Sequence, residues 1–302
     1  MNTQSNAMPE SPLESQVIAP AVISATRLMY WSVRRELWES RSIYIAPLAA
    51  AAVFLFGFLI STIHLPAKMR AALALDPEKQ HAAIAMPYDY VAGLIMGAAV
   101  IVAVFYCLDA LHGERRDRSI LFWKSLPVSD LTTVLSKAII PIVLLQLLTF
   151  AITVATQWIM LLLSSLVLLG TGLNVATLWT QVSLFPMSQM LLYHLLIMHG
   201  LWYAPVYSWL LLVSGWARRA TFLWAVLPWL AIFVVEKIAF NSSHFAHTLG
   251  YYFTGGPPVA AEPGIFPVTT IQLSSPGLWV SLAIAATFLA AAVRVRRYQG
   301  PI

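Results

Sequence analysis

Residues 131–170 form an apolar run too long for one bilayer crossing. At about 1.5 Å per residue, a helix of that length outruns a hydrocarbon layer of roughly 30 Å well before it ends. The segment is therefore one long helix that projects past the bilayer, or a hairpin of two short spans. The choice decides the side on which every later segment lies. With one helix, Arg218, Arg219, Arg294, Arg296 and Arg297 share a side with Arg115, Arg116 and Arg118. With a hairpin they lie opposite. Basic residues concentrate in cytoplasmic segments, so the arginines predict one continuous helix.

The remaining apolar runs place spans at about 43–63, 91–111, 188–216, 220–240 and 277–297. The expectation is an all-α, polytopic membrane protein with six transmembrane helices over 43–297 and both termini in the cytoplasm. Fourteen of the eighteen Lys and Arg residues then lie inside, while Lys68, Arg70, Lys79 and Lys237 lie outside. Composition agrees, since only 10% of residues are charged and mean hydropathy is +0.75. Soluble domains carry about 25% charged residues. The net charge of +5 is explained by topology and is no sign of nucleic acid. Cys107 has no second cysteine with which to form an internal disulfide. Pro47, Pro141, Pro205 and Pro228 fall inside spans, where they kink helices without ending them.

Residues 1–23 contain three prolines, Glu10 and Glu14 but no basic residue, which is unlike a signal peptide. They read as a disordered cytoplasmic tail. Residues 24–42 read as an amphipathic interfacial helix with Met29, Val33 and Leu37 on its apolar stripe. Arg27, Arg34 and Arg41 recur along one flank, with Arg35 close by and Trp31 and Trp38 beside them, a mixture suited to lipid headgroups. The plainer alternative is a helix that merely extends the first span.

Between the second and third spans lies GERRDRSILFWKSLPVSD, residues 113–130. Glu114 and Arg118 are spaced for a helical ion pair worth a few tenths of a kcal/mol. Pro127 should stop this short helix, and Ser129 and Asp130 should cap and charge the start of the next. Taken alone, the segment is also consistent with a solvated basic loop. Its order of residues, a glycine-acid-arginine-arginine run followed by an apolar-tryptophan-lysine-Ser-Leu-Pro string, resembles the cytoplasmic connector of type-2 ABC transporter permeases. The later string LWYAPVYSWLLLVSGWARRATFLWAVLPWLAIFVVEKIAFNSSHF, residues 201–245, is similar to the second half of the same permeases, and the likeness covers roughly residues 25–297.

That resemblance implies an exporter subunit of the bacterial inner membrane, paired with a second permease copy or a related chain. The connector would be a coupling helix seated on a separate cytoplasmic ABC ATPase. The implied contact residues are Glu114, Arg115, Arg116, Asp117, Arg118, Ile120, Phe122 and Trp123. It also implies a re-entrant element within the Gly/Pro- and aromatic-rich loop 241–276, which otherwise reads as a plain surface loop.

The chain has no phosphate-binding Gly-Lys motif, so ATP and Mg²⁺ would be held by the partner, with no cofactor in this chain. His194 and His199 lie about 140° apart on an α-helix, a poor metal pair. His244 and His247 read as polar loop residues, and no metal site or catalytic group is expected. Asp109 and Glu236-Lys237 sit near span ends, where pairing and solvation account for them. The alternative function is a six-span carrier or channel driven by an ion gradient. Such proteins place ionisable groups or broken helices near the midplane, whereas mid-span positions here are overwhelmingly apolar.

Overall fold

The computed structural model describes residues 24–126, 128–254, 273, 275–300 and 302. These residues are all-helical, without a strand. Six helical stretches are long and apolar enough to cross a membrane: Ser42–Leu73, Lys79–Arg116, Asp130–Gly170, Val175–Trp202, Thr221–Phe240 and Pro276–Tyr298. This is the architecture of a multi-pass membrane protein. The tail 1–23, Pro127 and most of the loop 255–276 lie outside the described residues.

Helix α1 (Ala25–Glu39) ends at Ser40, and α2 (Ser42–Ser61) starts a rod that continues through a 3₁₀ turn into α3 (Leu65–Leu73). After a short turn, α4 (Pro77–Ala110) runs the length of the bundle. The expected spans 43–63 and 91–111 leave 64–90 between them, and the structure makes most of that interval helix. Its apolar positions explain the difference. Met69, Ala72, Ile84 and Tyr88 are buried against Met160, Leu161 and Leu168, forming one core, separate from a second around Ala103, Tyr106 and Tyr207.

The connector follows as α5 (His112–Arg116) and α6 (Ile120–Ser125). Then α7 (Asp130–Ile139), a π-helical turn (Ile140–Leu144) and α8 (Leu145–Gly170) form one rod of 41 residues, with no reversal near 150–157. Pro141 has no N–H and crowds the preceding turn, which widens to i→i+5 spacing. The Gln146 side chain donates to the Pro141 carbonyl at 2.9 Å. On α8, Thr149 and Thr156 are buried with their hydroxyls bonded to carbonyls four residues back, at 2.7 Å each. Such back-bonding lets hydroxyls lie in an apolar interior.

Helix α9 (Val175–Gln181) precedes α10 (Leu184–Tyr193), a nine-residue π-helix (His194–Trp202) and α11 (Ala204–Trp216). The expected span 188–216 is thus divided at Tyr203, just before Pro205 starts α11. Helix α11 is deeply enclosed: Tyr207, Ser208, Leu211, Val213 and Ser214 are all buried. It packs on α14 (Pro276–Tyr298) and α4. Helix α12 (Thr221–Phe240) buries only Ala225 and presents apolar side chains on every other face. Helix α13 (His244–Thr254) folds back onto the end of α12 and onto Trp202. Glu236 accepts from the His244 and Phe245 N–H groups, and Tyr252 stacks on Trp202 at 5.2 Å.

The two π-helical segments touch where Gly200 meets Ile142. A Cβ on Gly200 would stand 2.7 Å from the Ile142 carbonyl oxygen, and neither backbone has room to yield. Gly200→Ala should therefore cost about 1–3 kcal/mol by overpacking. Gly97→Ala, whose Cβ would meet nothing within 4 Å, should be neutral or slightly stabilising. The buried thiol of Cys107 provides the readout, because it reacts with a thiol-specific dye only as the fold opens.

Candidate functional site

The end of the bundle that carries the connector holds a closed network of charges contributed by four helices. Helix α1 turns Val33 and Leu37 onto the core around Ala103, Tyr106 and Tyr207, and the same side brings Glu36 with them, 2% exposed. Lys137 Nζ of α7 donates to both Glu36 oxygens at 2.9 and 3.0 Å. The Tyr106 hydroxyl of α4 donates to Glu36 at 2.9 Å. Glu114 of α5 receives Arg35 at 3.0 Å, Lys137 at 3.1 Å and Arg296 of α14. Arg296 also lies 3.2 Å from Asp130, at the start of α7.

Arg35, Lys137 and Arg296 thus face Glu36, Glu114 and Asp130, and the group is neutral as a whole. Desolvating an ion costs several kcal/mol, so this arrangement is stable only while each charge keeps its partners. Glu39 lies at the edge of the network, 3.5 Å from Arg35. Burial raises its carboxyl above the ordinary range, and Arg35 draws it partly back.

A second set of contacts seats the connector on α11. The Ser214 hydroxyl accepts the Leu111 and His112 N–H groups at 3.0 and 2.9 Å. Arg115 donates to the Gly215 carbonyl at 2.6 Å, the Ala217 carbonyl at 3.3 Å and the Gly300 carbonyl at 3.2 Å. A cation with several donors suits the last carbonyls of a helix, which have no partner within it. The segment after α14 returns the contact, with Ile302 N–H donating to the Arg115 carbonyl and Lys124 donating to the Gln299 carbonyl.

These contacts sort the connector residues that the sequence singled out. Glu114, Arg115 and Ile120 point inward and are buried. The expected pair between Glu114 and Arg118 does not form. The helix breaks after Arg116, Arg118 takes a left-handed backbone at φ 57°, and Glu114 is occupied from three other directions. Arg116, Asp117 and Arg118 are exposed, with Arg116 paired to Asp117 at 3.0 Å and Asp109 at 3.5 Å. Leu121 and Phe122 are each 59% exposed. Trp123 is half-buried, and the Arg35 guanidinium lies 3.7 Å from its ring centre. On α1, Arg27, Trp31 and Trp38 are exposed, while Arg34 lies over both tryptophan rings at 5.0 and 4.6 Å.

Reading the sequence as topology missed Glu36, Lys137, Asp130 and Arg296 as partners. Two signals were present. Glu36 occupies the apolar side of α1, and Lys137 stands inside an apolar run, seven residues after Asp130 on the same helical face. A charge where periodicity calls for an apolar residue has a partner across the interface.

The π-helix revises the histidine geometry. With i→i+5 bonding, a residue five positions on returns to the same side. His194 and His199 accordingly meet edge to face with ring centres 5.2 Å apart, and His199 meets Tyr203 at 5.3 Å. Among the described residues, no three His, Cys, Asp or Glu side chains are grouped to hold a metal ion. Comparisons with family models, curated proteins and solved structures produce no match.

Lys137→Met removes the cation shared by Glu36 and Glu114 and should lower stability by about 3–5 kcal/mol. Adding Glu36→Gln removes the uncompensated acid and should restore part of that loss, a coupling typical of residues in one network. Thermal unfolding of the single and double variants, followed through Cys107, measures both effects.

Proposed function

We propose that this chain is the membrane-spanning permease subunit of an ATP-driven exporter of the bacterial inner membrane. It carries both termini in the cytoplasm, assembles with a second permease copy or a related chain, and lines the translocation path. Hydrolysis of Mg-ATP takes place on a separate ABC ATPase. The connector docks on that ATPase and passes its movement to the spans. The observation that carries this reading is the division of labour within the connector. Arg115 and Glu114 bind it firmly to α11, α14, α7 and α1, while Arg116, Arg118, Leu121 and Phe122 are exposed, as are Arg218 and Arg219 just after α11. A rigidly seated segment with exposed aromatic and cationic side chains fits an apolar groove rimmed by acids. The resemblance of residues 113–130 and 201–245 to type-2 ABC permeases points the same way.

The pairing of His194 with His199 inside a membrane-length helix favours a second reading, a carrier driven by an ion gradient. A co-purifying ATPase separates the two. Phe122→Ala should weaken ATPase capture by about 2 kcal/mol or more, over tenfold in Kd, and Arg116→Ala should weaken it in the same direction. Phe185→Ala, a still more exposed aromatic on α10, serves as the control. Wild-type capture by both connector variants, with wild-type substrate-stimulated hydrolysis, would overturn the coupling role and favour the carrier.

The orientation has its own test. In intact cells an impermeant thiol reagent should label a cysteine introduced at Asn174, in the turn at the far end of α8, and spare one at Arg116. Labelling in the reverse pattern would invert the topology.

A further inference from the structure

Helix α1 has two faces of opposite character. At about 100° per residue, positions 27, 31, 34 and 38 fall within a strip roughly 60° wide, and position 36 lies almost diametrically across. One side of α1 is therefore an arginine–tryptophan stripe, and the other inserts Glu36 into the charge network. Trp31 is 51% and Trp38 65% exposed, far more than packing within the chain would leave. The Arg34 guanidinium spans both rings at 5.0 and 4.6 Å, which holds its N–H groups in place without consuming them. Arg27 and Arg34 have no carboxylate partner among the described residues, and Arg41, exposed just before α2, has none either. The acids of α1 are engaged elsewhere: Glu36 is buried and Glu39 pairs with Arg35. The stripe thus presents positive charge and indole rings with no opposing acid.

Its position specifies the occupant. Helix α1 ends three residues before α2 enters the membrane-length stretch Ser42–Leu73, so the stripe stands at the boundary between headgroups and water. There, indole rings settle among headgroups and arginines pair with phosphates. We propose that the Arg27–Trp31–Arg34–Trp38 stripe is a binding site for anionic phospholipid headgroups. The site fixes the helix whose opposite face holds Glu36 and whose Arg35 stacks on Trp123 of the connector. Bound lipid therefore braces the seat of the connector from the membrane side.

The inference rests on the membrane placement in the proposed function and is independent of the ATPase. It is tested by hydrogen–deuterium exchange on the full chain in nanodiscs of zwitterionic lipid alone or of the same lipid doped with phosphatidylglycerol. Amides of residues 25–39 should exchange at least about fivefold more slowly in the anionic discs, from a gain of about 1 kcal/mol per arginine near a charged surface. The Arg27→Gln/Arg34→Gln variant should lose that difference, and Arg27→Lys/Arg34→Lys should keep most of it. Lys68→Gln/Arg70→Gln, an equal loss of charge at the opposite end, should leave it unchanged. Unfolding followed through Cys107 confirms that each variant is folded. Equal exchange of wild-type α1 in the two discs, or a full lipid response in the glutamine variant, would overturn the site. Since no ATPase is present, this outcome is separate from failure of the Phe122 capture experiment.

Discussion

The pairing of Lys137 with Glu36 and Glu114 is the interaction on which the connector end of the structure depends. A lysine 2% exposed among apolar helices is untenable alone, since its desolvation costs several kcal/mol. Two carboxylates from distant parts of the chain compensate it, and each brings a helix along. Glu36 brings α1, which has a break before α2 and would otherwise be free to lie elsewhere. Glu114 brings the connector, and Arg296 closes the network by tying α14 to both the connector and Asp130. Salt bridges of this kind seldom add stability over a well-packed apolar core. Their effect here is registry, because helices could slide along one another on apolar contacts alone, whereas the ion pairs form at one position only.

The same network explains why the connector can be both firmly held and chemically available. Its backbone and inward side chains are consumed by Ser214, Gly215, Ala217 and the segment after α14. The break between α5 and α6, with Arg118 in a left-handed conformation, then turns Leu121 and Phe122 away from the bundle. A single uninterrupted helix could not bury Ile120 while leaving both of its successors in solvent and still direct Glu114 inward.

Farther along the bundle, the two π-helical segments meet at Gly200, where one backbone lies against the other. Pro141 accounts for the shorter of them. The longer one ends at Tyr203, ahead of Pro205, and it realigns the histidines onto one side. Helix α13 packs on the end of that segment through the Trp202–Tyr252 stack.

Much of this was legible in one dimension. The length of 131–170 and the placement of arginines at the ends of apolar runs led to a membrane-spanning all-helical chain, and the six long apolar helices agree. The amphipathic α1 could be read because helical periodicity depends only on local spacing. Boundaries were less legible: the charges within 64–90 set it apart from the apolar runs on either side, but its scattered apolar residues find partners when α3, α4 and α8 come together. The histidine geometry failed because the usual 100° step does not apply to a π-helix. Likewise, Glu114 looked like a partner for Arg118 because sequence reveals neighbours along the chain and not across it. Sequence alone determined what the chain dissolves in, since hydropathy and helical period are sums over local residues. Only tertiary structure decided which charges meet, because Glu36, Glu114, Lys137 and Arg296 are far apart in the chain and are joined by the cost of leaving any one of them unpaired.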